Sequence, residues 1–398
     1  MSAKGFTKGI TLNILILGLV SLFTDLSSQM VFPLIPLFLT SVLGAGGTIV
    51  GFVEGAAETA ASLLKVFSGY WSDKIGRRKP FVLIGYGLSS LMKPLFAFSS
   101  VWEVVFGIRI VERIGKGIRT APRDVIIADS SDAKVRGKAY GIHRFMDGIG
   151  SVFGALLAFA LLPLLGFRKV FLVAFIPAVI AVVLILFVKE KKQRSAPIKP
   201  ESLEISMKAL TPSLKYFIAI ATLFTLGHFG YPFLLLRALN LGFKNETAIL
   251  LYVLYYVVYS VFIIPAGAVS DKIKRKYVIL TGYGLFAVTS LGLVFASSLS
   301  QIVWLFVLYG GFYAMIDGVQ RAYVVDLSPP HIRGTALGTF HTSVGLAALP
   351  AGLIAGLLWD IICPEMTFVF GCLLSVTAVV LLLSLEEKTY DDFRGEKR

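Results

Sequence analysis

Charge is scarce in this sequence. Of 398 residues, 16% are Asp, Glu, Lys or Arg and 56% are hydrophobic, with a mean hydropathy of +0.80. A soluble globular domain carries about a quarter charged residues, so that class is excluded. Cysteine is scarcer still. Cys363 and Cys372 are the two in the chain, and neither shares ligand spacing with a histidine, so neither a disulfide framework nor a metal cluster is indicated. No Gly-x-x-x-x-Gly-Lys-Ser/Thr loop, His-Glu-x-x-His or Gly-x-Ser-x-Gly occurs. Gly115-Lys116-Gly117 is a lone Gly-x-Gly inside a helical pattern. The chain is therefore not expected to be an enzyme, and no cofactor and no metal are expected.

What the sequence has is length of apolar run. Windows of about 20 residues, enough to cross the hydrocarbon core as a helix, recur from end to end. They predict twelve spans near 12–39, 48–70, 81–99, 102–127, 138–165, 169–188, 214–239, 247–269, 277–297, 301–326, 335–361 and 366–385. The first run leads straight into the second without a small-residue cleavage site, which reads as a retained helix. The organisation expected is a six-helix bundle over 1–188, a polar basic linker over 189–213, and a second six-helix bundle over 214–398 with a short tail.

Lys and Arg, 38 against 24 Asp and Glu, are not spread evenly. With both termini cytoplasmic, the cytoplasmic segments hold 25 of them and the external loops three, Arg168, Lys169 and Lys244. That is the positive-inside pattern of a multi-pass protein of the cell (inner) membrane. The net charge of +14 is then a topological signal plus attraction to anionic lipid heads in the bilayer, and no nucleic acid is needed to explain it.

The fourth span breaks the apolar pattern. Arg109, Glu112, Arg113, Lys116, Arg119 and Arg123 fall within an arc of about 120° on one helix face. Charge inside a bilayer costs several kcal/mol unless it faces water or other charge. Glu112 stands four residues before Lys116, a helical pairing distance.

The two halves repeat. Gly69-Tyr70-Trp71-Ser72-Asp73-Lys74-Ile75 returns as Gly267-Ala268-Val269-Ser270-Asp271-Lys272-Ile273, and Gly85-Tyr86-Gly87-Leu88 as Gly282-Tyr283-Gly284-Leu285. Asp129 matches Asp326, and Arg136-Gly137 matches Arg333-Gly334, in the same register. Six-span halves repeated in parallel are an architecture of secondary transporters.

Gly69, Asp73, Lys74, Gly76, Arg77, Arg78 and Lys79 together resemble the loop signature between helices 2 and 3 of the major facilitator superfamily. The second copy is degenerate, with Lys274 where Gly76 stands. The resemblance runs through both halves and implies an all-α membrane fold of twelve transmembrane helices in two pseudo-symmetric bundles. It further implies a cytoplasmic gate of Gly69, Asp73, Arg77, Arg78, Asp129 and Asp271. In it Arg77 pairs with Asp129, and Asp73 lies against the start of helix 11 near Gly334–Leu337. A weaker resemblance links Gly141, Gly150 and Gly154, with Arg113 and Lys116-Gly117, to proton-driven drug exporters. There Ala155 stands where those exporters carry proline.

Other charges need a reason. Asp25 lies about 20 Å along the first helix, near mid-membrane, on the stretch that continues to Gln29, Pro33 and Pro36. His143, Arg144 and Asp147 sit together on the fifth. Structural ion pairs or snorkelling ends suffice for Glu54, Glu58 and Lys65, for Asp317 with Arg321, and for Arg237. They suit Asp25, Glu112, Arg113 and Asp147 least. The resemblance therefore implies proton coupling through Asp25, Glu112 and Asp147, with His143 as an alternative carrier. Substrate binding is expected at Arg109, Arg113, Lys116, Arg144, Gln29 and Tyr231, and His228 and Arg237 accompany Tyr231 on the seventh span. The expected activity is alternating-access transport of a small anionic or zwitterionic organic solute by a monomer, as proton-coupled export (antiport). A proton-coupled importer of an organic anion or metal chelate is the alternative. A non-transporting receptor on the same scaffold is the alternative of another class.

Overall fold

A computed structural model describes residues 11–131, 136–190, 210–329 and 332–385. Most of the expected linker, 191–209, lies outside the described residues. No strand occurs among those described. Helix is what the composition demands, because in hydrocarbon a backbone that bonds to itself leaves no N–H or C=O stranded.

Span 1 is Leu12–Val31 followed by Leu34–Ser41, span 2 Gly47–Ile75, span 3 Lys79–Leu95 with a 3-10 turn Phe96–Phe98, and span 4 Trp102–Asp129. Arg136–Val173 turns at Gly166, whose φ of 72° suits glycine, and with Phe175–Leu186 makes spans 5 and 6. Span 7 is Pro212–Gly227 and Gly230–Asn240, span 8 Asn245–Lys272 and span 9 Arg275–Phe295. Span 10 is Leu299–Ile316 with Val319–Asp326, span 11 Arg333–Leu357 with a π turn Leu358–Ile362, and span 12 Pro364–Ser384. Among the described residues nine helical stretches are long and apolar enough to cross a membrane. One of them, Ala139–Leu186, contains the turn at Gly166 and crosses twice. Spans 2 and 4 are as long but carry more charge, which brings the number to twelve.

Spans 1 and 7 are both broken, and in register. Span 1 is interrupted at Phe32-Pro33, and span 7 at His228-Phe229-Gly230, where Gly230 has φ 67°. Gly230 follows Pro33 by 197 residues, the same offset that relates Gly85 to Gly282 and Asp129 to Asp326. Interrupted helices at corresponding positions of two repeats are where transporters of this architecture expose backbone to cargo.

By contact the chain divides into two compact units, Met1–Phe38 with Ala60–Glu201, and Leu39–Thr59 with Ser202–Arg398. In the first, spans 1 and 5 pack on glycine. A β-carbon on Gly154 would stand 2.9 Å from Gln29 Cβ, and one on Gly150 3.0 Å from Leu22 Cα. Spans 3 and 4 touch likewise, with Gly85 and Gly115 each close to the other's carbonyl. Ile14, Leu17, Val20, Tyr86, Ile126 and Ile185 form its apolar core. The second unit is cored by rings: Phe224 stacks on Tyr283 at 3.9 Å, and Phe286, Tyr309 and Phe312 surround them.

Candidate functional site

The first unit buries its charge. Along span 4 the predicted stripe is inside, with Arg109 0%, Glu112 1%, Arg113 6% and Arg119 6% exposed. Glu112 Oε2 receives Arg109 Nη1 at 3.0 Å and lies 3.8 Å from Arg113 Nε. The structure thus gives Glu112 two arginine partners, where spacing had suggested Lys116. Both guanidiniums also cover the ring of Phe32, at 4.3 and 4.9 Å, on the break in span 1. Such stacking is worth about 2 kcal/mol once desolvated. Glu112 Oε1 is buried with no hydrogen-bond donor.

One cation escaped sequence reasoning. Lys93, on span 3, is 1% exposed and its Nζ meets Ser27 Oγ at 2.8 Å, Ser28 Oγ at 3.1 Å and the Thr24 carbonyl at 3.5 Å. Three N–H donors thus meet three neutral oxygens of span 1. Glu112, Asp25, Arg109 and Arg119 lie within its electrostatic reach. Arg119 donates to Ser89 Oγ at 2.7 Å and stacks on Tyr86 at 4.3 Å.

A second cluster joins spans 1 and 5. Asp25 and Asp147 are hydrogen-bonding neighbours, and Arg123 and Arg144 are the cations that act on Asp147. Asp147 also accepts from the Ser21 hydroxyl, and His143 Nδ1 and Arg144 Nη1 stand 3.6 and 3.4 Å away. Three of the four groups expected to carry protons are therefore in one place, while Glu112 is with the arginines. Gln29 is buried nearby against Gly154. Lys116 is half-buried on span 4.

The loop between spans 2 and 3 differs from the resemblance in one residue. Arg78, not Arg77, reaches Asp129, at 2.6 Å, and also holds Asp73 at 3.1 Å. Arg77 is exposed. Glu190 caps the start of span 3 through the Arg78 and Lys79 amides at 2.5 and 3.3 Å. The second unit repeats the triad: Arg275 lies 3.3 Å from Asp271 and 2.8 Å from Asp326. Arg275 stands 197 residues after Arg78, the offset of Asp326 from Asp129, while Asp271 stands 198 after Asp73, so the one-residue difference between the halves falls within this loop.

In the second unit Tyr231 packs on Tyr252 at 5.1 Å, among Tyr255, Tyr256, Tyr259, Tyr309 and Tyr313. His228, on the break in span 7, bonds Tyr309 Oη through Nε2 at 3.1 Å. Asp317 pairs with Arg321 at 2.8 Å and accepts from Tyr259 at 2.9 Å. Arg237 is anchored by Glu365 at 2.5 Å, Asn240 and the Leu293 carbonyl, a structural role. Among the described residues no group of three or more His, Cys, Asp or Glu is placed to hold a metal ion.

Comparison with known proteins agrees with this architecture. A model of the Major Facilitator Superfamily matches residues 17–244 and again 216–398. The chain is 42% identical over 379 residues to a protein of Methanocaldococcus jannaschii described as an uncharacterized MFS-type transporter, covering 93% of this chain and 94% of that one. It is 29% identical over 344 residues to the cis,cis-muconate transport protein of Acinetobacter baylyi, covering 82% of each. Its fold is similar to that of a variant of the nucleoside transporter NupG, with a TM-score of 0.78 at 15% identity over 94% of this chain and 100% of that one. With helices, repeat and matches running through both halves, the chain belongs to the Major Facilitator Superfamily of membrane transporters.

Proposed function

We propose that this transporter carries small organic anions by alternating access, moving anion and proton in the same direction. One observation carries the reading: four cations, Lys93, Arg109, Arg113 and Arg119, are buried on spans 3 and 4 close about Glu112, with Asp25 also within electrostatic reach of Lys93. Two like charges about 5 Å apart repel by roughly 3 kcal/mol at an effective dielectric of 20. Gathering four cations in one buried place is therefore costly, and an arriving anion would offset that cost. The name of the Acinetobacter relative, a transporter of a dicarboxylate, supports the same class. The rings of the second unit suit a flat, unsaturated carbon skeleton.

Proton coupling is assigned to Asp25 and Asp147. Two carboxyls within hydrogen-bonding reach hold one proton between them more readily than two negative charges. A change in the water exposure of the pair as the bundles rock would release it. The expectation of export drew on Gly150 and Gly154. Their contacts on Leu22 and Gln29 serve helix packing, which suits either direction. The loop charges support termini in the cytoplasm, and the proposed cycle takes the bundles 1–188 and 214–398 as its rocking bodies.

The test is a thermal-shift screen of purified protein, followed by counterflow in proteoliposomes. Muconate, benzoate and succinate should stabilise the protein, and at least one should show counterflow that an inward proton gradient turns into accumulation. Stabilisation by sugars or cationic drugs alone would refute the anion reading.

A further inference from the structure

The outer end of span 2 is held by a residue more than three hundred positions away. Span 2 opens on Gly46-Gly47-Thr48, which offers no local side chain to occupy the free N–H groups of a helix start. Asp360, in the π turn that ends span 11, takes two of them: Oδ1 accepts from Gly47 N and Oδ2 from Thr48 N, each at 2.8 Å. The glycines make this approach possible. A β-carbon on Gly46 would stand 3.0 Å from Asp360 Cγ, and one on Gly47 2.8 Å from the Trp359 ring.

The contact continues down the helix without side chains between the backbones. Gly47, Gly51 and Gly55 recur every fourth residue of span 2 and meet Gly356, Gly352 and the Ala348–Leu349 backbone of span 11. A β-carbon on Gly55 would come 2.6 Å from the Ala348 carbonyl, and one on Gly352 2.9 Å from the Gly51 carbonyl carbon. Thr59 Oγ1 donates to Gly345 O at 2.6 Å and closes the lower end. This seam is why residues 39–59 fall with the second unit by contact, although the rest of span 2 falls with the first. Small residues let two helices meet closely in a membrane. They also let them part, since nothing interlocks.

The placement is reciprocal to that of Asp73. Span 2 begins at Gly47 and reaches Asp73 near its other end, while span 11 begins at Arg333 and runs into Asp360. The signature loop implies that Asp73 approaches the start of span 11. Asp360 binds the start of span 2 at the opposite membrane face. We infer that Asp360 is an outer latch, a carboxylate that clasps the helix start of span 2 to span 11 and lets go once in each transport cycle. The latch rests on the alternating-access reading above.

Backbone hydrogen exchange tests it without a substrate, on the full chain in lipid nanodiscs. In the wild type, peptides covering 45–60 and 345–358 should exchange by a discrete opening absent from peptides covering 80–95. Asp360→Ala should speed that opening about fivefold, the factor that a helix-terminus carboxylate worth roughly 1 kcal/mol gives. Asp360→Asn, which keeps shape and one acceptor, should lie between, and Asp360→Glu should restore part of the protection. Unchanged exchange at 45–60 in both Asp360→Ala and Asp360→Asn would overturn the latch and leave alternating access standing. No opening of this seam in the wild type would overturn both. Loss of protection in Asp360→Ala that extends to 80–95, with no local change in Asp360→Asn, would mark Asp360 as a folding residue and overturn the latch.

Discussion

Replacing Lys93 by methionine should raise the melting temperature. The ammonium is fully buried, and its three contacts are two serine hydroxyls and a carbonyl. Hydrogen bonds from a charged donor return about 1.5–3 kcal/mol each at best, and the 3.5 Å contact returns less. Against them stands the cost of removing an ammonium from water, several kcal/mol even after relaxation. The attraction of Glu112 and Asp25 and the repulsion of Arg119 and Arg109 act in opposite senses, so desolvation remains the largest effect on the ammonium. Methionine has nearly the same length and carries no charge. Its presence strands little: Ser27 keeps its bond to the Ala174 carbonyl at 2.5 Å, and Ser28 can turn to the carbonyl of Thr24 four residues back. Exchanging buried charge for a well-packed apolar side chain is commonly neutral or stabilising by about 1–4 kcal/mol. The expectation is a rise of a few degrees, read by tryptophan fluorescence in detergent. The same variant should lose most of the stabilisation that carboxylates confer. A fall of several degrees would show that Lys93 holds the bundle together and would refute the argument that it is kept for an anion.

Asp25→Asn and Asp147→Asn should each abolish proton-driven accumulation in proteoliposomes while exchange at equal pH continues; accumulation surviving in both would remove this pair from coupling. Arg78→Gln breaks contacts to Asp73 and Asp129 and should lower the melting temperature, by about 1 kcal/mol or less because Asp73 is largely exposed. Arg77→Gln should leave it unchanged, and equal effects of the two would contradict the loop geometry.

Much of this was legible before any coordinates. Twelve spans follow from apolar windows, and the buried stripe of span 4 follows from helical spacing, because both depend on local period alone. Lys93 was not legible. Its three partners lie on span 1, 65 to 69 residues earlier, and a lone lysine near the outer end of a span reads as a snorkelling residue. Glu112 drew Arg109 and Arg113 in place of Lys116 because both arginines also find the ring of Phe32, a contact made across helices. The choice of Arg78 over Arg77 was not legible, because the offset between the halves changes from 198 to 197 within this loop and leaves either arginine opposite Arg275. The broken spans 1 and 7 did carry a signal, since Pro33 and Gly230 are aligned by the repeat register.

The duplicated triads bear on how the chain could be made. Arg78 with Asp73 and Asp129, and Arg275 with Asp271 and Asp326, each tie helix ends within their own half. Neither needs a residue from beyond position 190 in one case, or before position 271 in the other. Two separately synthesised polypeptides, divided between 190 and 210, would each retain a complete set of these ties. Such a pair should insert independently and find each other in the bilayer, so that covalent continuity is dispensable for assembly and a gene split at this point remains viable.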